Sequence, residues 1–359
     1  MRVVAWLVVL GLLAACGDGE RAWPLEAPLP EHLSELGLLE HRGDRLEPVS
    51  GFVYTLGHTL FSDHASKFRS VHLPAGERAV RPAHALATET LAFPVGTIIT
   101  KTFYYPVRNG DVVLAHAPEP AHPNEGLGLA GMRLLETRIL RHQPAGWEAV
   151  SYLWDDAQQE ARRTAVGALL ELEAASGERF DYLVPDRNQC AACHGGDRQH
   201  REVMPIGPKP ANLAAYTFAD GSNQYALWKQ EWVQDAAPVA SWPRTPDVRA
   251  YLDVNCAHCH RGTGAASSTG LDLRYDAERP FDLGVCKPPV AAGRGAGGLA
   301  VGIWPGRPEA SILLYRLTHQ DPAVMMPELG RSLVDEAAVE RVAAWIEAMD
   351  GDCTHAGLL

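Results

Sequence analysis

Two pentapeptides constrain this chain more than anything else in it: CAACH at residues 190–194 and CAHCH at residues 256–260. The Cys-x-x-Cys-His spacing lets two thiols add to the two vinyl groups of one haem, while the histidine that follows reaches the iron from the same side. With 7 cysteines and 15 histidines in 359 residues, roughly 0.006 such matches arise by chance, so a pair is no accident of composition. The chain must therefore fold around two flat apolar macrocycles, one attached at Cys190 and Cys193 and the other at Cys256 and Cys259. His194 and His260 are the corresponding iron ligands, and the implied cofactors are two haem c groups. Zinc is a competing use of four thiols. The pairs stand 66 residues apart, however, against roughly 15 to 20 in a common zinc ribbon, and each carries an extra histidine. A thioredoxin-like redox pair calls for a βαβ setting, which neither motif has.

The N-terminus, MRVVAWLVVLGLLAACGDGE, has a basic start at Arg2, an apolar run from Val3 to Leu13 and then Leu13-Ala14-Ala15-Cys16. That order is a signal peptide, too short for a stable membrane span. Its last four residues resemble a bacterial lipobox, which makes Cys16 the lipidated first residue of the mature chain. A plain secretory signal cut elsewhere is the other reading. Gly17, where an aspartate would favour the inner membrane, points to the outer membrane, and the chain is expected in the cell envelope facing the periplasm or exterior. Outside the cytosol the remaining pair, Cys286 and Cys353, can form a disulfide; two unrelated thiols are the alternative. A net charge of −12 excludes nucleic acid as a partner, because no basic surface would neutralise phosphates. The expected partners are redox proteins, and the membrane through the N-terminal lipid.

Composition shifts along the chain suggest a signal at 1–15, a tether at 16–45, a β-rich domain at 46–236 ending in the first haem segment, a linker at 237–246 and a final domain at 247–353. GTIITKTFYYP (96–106), LLETRILRH (134–142) and WEAVSYLWDD (147–156) are of strand length and partly alternate. DAQQEARRTAVGALLEL (156–172) fits a helix or a hairpin, since Gly167 interrupts it. SNQYALWKQEWVQDA (222–236) looks helical. In DEAAVERVAAWIEAMDG, Val339, Val342, Ala343, Ile346 and Met349 recur on one helical face. The expected fold class is α+β, an N-terminal antiparallel β domain followed by a mainly α-helical domain.

From Thr245 to Asp352 the order helix, CAHCH, loop, Met-Pro pair and closing helix resembles the small monohaem, class I cytochrome c domain. That resemblance implies His260 as proximal ligand and Met326, directly before Pro327, as the distal thioether, with Met325 as its competitor. It also implies a helix contact between Tyr251 and Trp345. The first motif has no such frame. Met204 in REVMPIGPKP follows His194 by ten residues, a short reach around a porphyrin, and His200, His58 and His64 are further candidates for that sixth position. FPVGTIITKTF followed by a haem motif is similar to the cytochromes whose haem is cross-linked to a lysine and to the beta form of cytochrome c-prime, which would place Lys101 beside a five-coordinate haem. A strand lysine pointing to solvent is the plainer account. Taken whole, TLFSDHASKFRSVHLPAG, FPVGTIITKTFYYP, LLETRIL, DRNQCAACHGG and MPIGPKPANL resemble a family of bacterial two-haem c-type cytochrome lipoproteins. The resemblance implies dihaem electron transfer, with no residue assigned a catalytic role. An enzyme with an open-site haem at His194, peroxidase-like or acting on a small nitrogen compound, is the alternative.

Overall fold

The computed structural model describes residues 23–81, 89–117, 120–195, 202–235, 238–291 and 293–354. The signal sequence, Cys16 and His200 lie outside them.

The centre of the molecule is a seven-stranded antiparallel sheet. Its strands in chain order are β1 (Phe52–Val53), β2 (Ser66–His72), β3 (Ile98–Arg108), β4 (Asp111–Val112), β5 (Met132–Gln143), β6 (Gly146–Trp154) and β7 (Ala161–Thr164). Across the sheet the order is β7-β6-β5-β3-β2-β1, with β4 folded back onto β3. Because side chains alternate in a strand, the sheet has two buried faces. Phe68, Ile98, Ile139 and Tyr152 on the first pack under Leu29, Leu33, Leu36, Leu39 and Leu46. Residues 23–45 are therefore not a tether; their leucines seal one side of the sheet. The second face is apolar at both ends. Val71, Ile99 and Leu140 meet Leu213 and Trp228, and Phe103 and Leu135 meet Phe180 and Tyr182.

Residues 156–172 take the extended option. β7 joins the sheet edge and β8 (Ala168–Glu173) pairs with β9 (Arg179–Val184). Gly167 makes the break, with φ +68° and a Cβ position only 2.4 Å from the Val184 carbonyl oxygen. The helices are short: α1 (Arg187–His194), α2 (Pro210–Ala214), α3 (Gln224–Glu231), α4 (Val248–Asn255), α5 (Ile312–Leu317) and α6 (Glu336–Glu347).

The expected α+β class with a mainly helical class I cytochrome c domain at 247–353 is corrected here. Strands and bridges make up 27 % of the described residues and helix 19 %, and the C-terminal part is chiefly turns and short 3-10 segments. Between α4 and α5 the chain is dense in glycine and proline, residues that terminate helices. The first and last helices of this part, α4 and α6, do pack on each other through Leu252, Val342 and Ile346. A Cys286–Cys353 disulfide, with sulfurs 2.06 Å apart, joins the long loop to the chain beyond α6. The segment read as a linker is also packed: Trp242 is 3 % exposed and stacks on Tyr275. Among the described residues no helix is long and apolar enough to cross a membrane.

Candidate functional site

CAACH occupies α1. Asp186 caps that helix by accepting from the Gln189 N–H, and the Gln189 side chain returns a bond to the Asp186 N–H. Cys190 and Cys193, three residues apart in a helix, share one face. After the motif the chain doubles back: Met204 N–H donates to the His194 carbonyl, and the His194 ring, through Nδ1, meets the Met204 carbonyl, both at 2.8 Å. A carbonyl can only accept, so Nδ1 carries the proton and Nε2 keeps its lone pair. Burial, with Lys101 nearby, brings the His194 imidazolium down to about 4, which holds the ring neutral and able to ligate.

Met204 is thereby removed as a sixth ligand. Its backbone lies behind His194, on the side away from Nε2, and its side chain is 47 % exposed. His58 donates from Nε2 to the Pro243 carbonyl at 2.7 Å, and His64 packs edge-on against Phe61. Neither lines the cleft at His194.

CAHCH follows α4, which Asp247 caps through the Ala250 N–H. His260 N–H donates to the Cys256 carbonyl, and a turn returns at Gly264, where a Cβ would sit 2.2 Å from the Cys259 oxygen. The Thr269 hydroxyl donates to Ala266 and stands 3.1 Å from His260 Nδ1. Having given its proton away, the hydroxyl accepts from Nδ1–H, and again Nε2 is left to ligate. Burial and the Arg316 charge bring His260 to about 4. Met325 is buried at 5 % exposure, whereas Met326 is half-buried. The loop that carries both is held by Arg331, whose guanidinium donates to the carbonyls of Met326, His319, Leu317 and Leu333.

The two motifs touch. Cys259 Sγ lies 3.9 Å from the Ala192 carbonyl oxygen, although 67 residues separate them in sequence. Around this contact the N-terminal and C-terminal parts are bonded together. Asn255 Oδ1 accepts from the Phe61 N–H at 2.8 Å, and Lys209 pairs with buried Asp253 at 2.5 Å. Asp63, 2 % exposed, accepts from the N–H groups of Ser332 and Leu333. Asp63 and His64 have φ of +49° and +63°, a left-handed conformation rare outside glycine that this carboxylate bonding holds in place.

Cys190, Cys193 and His194 open on a cleft that is continuous with solvent. α1 forms one wall. The second face of the sheet forms the other, with Ile99, Leu140 and Ala149 as its apolar patch and Arg69, Lys101 and Arg138 beside it. Lys101 thus points into the cleft and not to solvent. All four motif cysteines are free thiols. Among the described residues no three His, Cys, Asp or Glu side chains converge as a metal-holding group. Free thiol pairs, a neutral histidine with Nε2 unencumbered in each motif, and an apolar cleft fit covalent haem.

No family model, curated protein or solved structure matches the chain.

Asp63, Thr269, Arg331, Arg69 and Arg138 were not singled out by sequence, whereas Lys101 was. SDHASKFRS carries a signal for Arg69, with Lys67 and Arg69 two apart in a strand and so on one face.

Proposed function

We propose that the protein is a two-haem c-type cytochrome that transfers electrons between partner proteins, with haem on Cys190 and Cys193 and a second on Cys256 and Cys259. The contact between the two motifs, Cys259 Sγ to Ala192 at 3.9 Å, carries this reading, because it brings two attachment sites to one point. Haem at both sites supplies a reversible one-electron centre. The residues around it do the rest: Met204 and Thr269 fix His194 and His260 in the tautomer that ligates. Arg331 steadies the loop bearing Met326, the sixth ligand proposed at His260, and a His/Met pair raises the potential and leaves no open position. The Cys286–Cys353 disulfide suits an oxidising compartment, in agreement with lipidation at Cys16 and an envelope location.

A haem stain and pyridine haemochrome titration of the purified protein are expected to give two covalent haems per chain. Cys190→Ala with Cys193→Ala leaves one. A chain with no covalent haem, or a double variant that still carries two, refutes the assignment.

A further inference from the structure

The cleft at His194 is not walled by the N-terminal part alone. Asn255, directly before Cys256, and His258, between the two cysteines of CAHCH, line it, and so do Pro327, Leu329 and Arg331 from the loop that follows Met326. The two segments that carry the ligands proposed for the second haem therefore also form part of the surroundings of the first. Arg331 stands where the two surroundings meet. It is 7 % exposed, and its hydrogen bonds go to backbone carbonyls: Nε and Nη2 donate to Met326, Nη2 also to Leu317 and His319, and Nη1 to Leu333. Carbonyls satisfy its donors without cancelling its charge. The carboxylates that bear on it, Asp63 and Asp335, act through space and form no hydrogen bond to it; Asp63 accepts from the Ser332 and Leu333 N–H groups, and Asp335 from the Ala338 N–H. An arginine stays protonated in such surroundings. Screening is weak in a protein interior, so a buried cation that is hydrogen-bonded but not ion-paired acts at long range.

We propose that Arg331 is a positioning residue common to both haem sites: its guanidinium fork holds the Met326 loop for the second haem, and its charge raises the reduction potential of both. The proposal rests on haem attachment at both motifs. When one electron arrives from a partner protein, ferric iron becomes ferrous and the site loses one positive charge. A fixed cation nearby repels the ferric form more than the ferrous form, which favours the reduced state. The two roles of Arg331 have different chemical requirements. Bonding several carbonyls at once needs the planar five-donor guanidinium, whereas the electrostatic effect needs only a cation.

The test uses the full-length protein after its covalent haem has been counted; a chain with fewer than two haems overturns the two-haem reading and this proposal together. In the two-haem protein, spectroelectrochemical titration gives both potentials, and the weak red charge-transfer band of a ferric methionine-ligated haem reports on Met326. Arg331→Met is expected to weaken that band and to lower both potentials. Each should fall by about tenfold in the ratio of ferrous to ferric haem at a fixed applied potential, about 59 mV for one electron. Arg331→Lys should restore the potential of the haem at His194, because the charge is back, while the band stays weakened. If Arg331→Met does not fold, Arg331→Gln, which keeps donors without the charge, takes its place with the same expected fall at His194. An unchanged potential at His194 in the uncharged variant overturns the proposal and leaves Arg331 a clamp on one loop. So does a lysine variant that fails to recover that potential. Met326→Ala, which removes the thioether and keeps the charge, should lower the second potential and leave the first in place. If it lowers the first as much as Arg331→Met does, the first haem answers to the shape of the loop and the proposal is wrong.

Discussion

Lys67 shows how far a single side chain here departs from its ordinary behaviour. Its ammonium donates to the carbonyls of Leu60 and Ala65 at 2.8 Å each, yet burial first, and then Arg69, Lys101 and Arg138, hold it well below the usual lysine range. In the window between that lowered value and the unfolded value of about 10.5, the unfolded chain binds the proton and the folded chain does not. The unfolded state then holds more protons, so stability rises with pH across the window; below it the full penalty of the buried charge applies. Wild type is expected to gain stability in urea from neutral pH towards about pH 10 relative to Lys67→Met, which lacks the group. Parallel pH profiles for the two proteins would sink this account. None of it is legible in the sequence. Cys-x-x-Cys-His declares its chemistry through spacing alone, but the state of Lys67 depends on Lys101 and Arg138, brought beside it only by strand register.

Among the elements, strands were easier to read than helices. Ile98, Ile99, Phe103 and Tyr105 in β3 combine β-branched and aromatic residues with alternation, and such residues favour a strand wherever it packs. The C-terminal helices are short and stand apart in sequence, so neither their periodicity nor the family likeness reveals how much turn lies between them. Their stability comes from packing, since isolated helices of this length are marginal in water. Ile346 of α6 is fully buried against the α4 side of that cluster. Ile346→Ala is expected to cost about 3 kcal/mol in urea unfolding, with the two proposed haems still attached, because thioether bonds do not depend on packing. A loss below about 1 kcal/mol would mean that α6 is not what closes this part of the core.

At the scale of the whole molecule, the division into a β domain, a linker and a C-terminal domain misses how tightly the parts are joined. Hydrophobic patterning reports what each segment buries, whereas the joints are polar groups far apart in sequence, such as Asn255 with Phe61 and Lys209 with Asp253. Asp63 is the joint whose removal is most informative. It reaches from the sheet to the N–H groups of Ser332 and Leu333, two residues beyond the turn that Arg331 clamps onto Met326, and the Tyr105 hydroxyl holds its carbonyl from behind. Asp63→Ala strands two buried donors and also removes the bonding that keeps a left-handed backbone in place, so about 2 to 4 kcal/mol should be lost. The loss should appear in one transition, because bodies joined by buried polar bonds and by a contact at the two haem motifs unfold together. Far-ultraviolet circular dichroism, which follows the sheet, and the Soret band, which follows the haem surroundings, should therefore share one midpoint in wild type. In Asp63→Ala the two midpoints should move down together. An Asp63→Ala protein with the wild-type midpoint by both probes would show that the carboxylate is a bystander and that the two halves hold together without it.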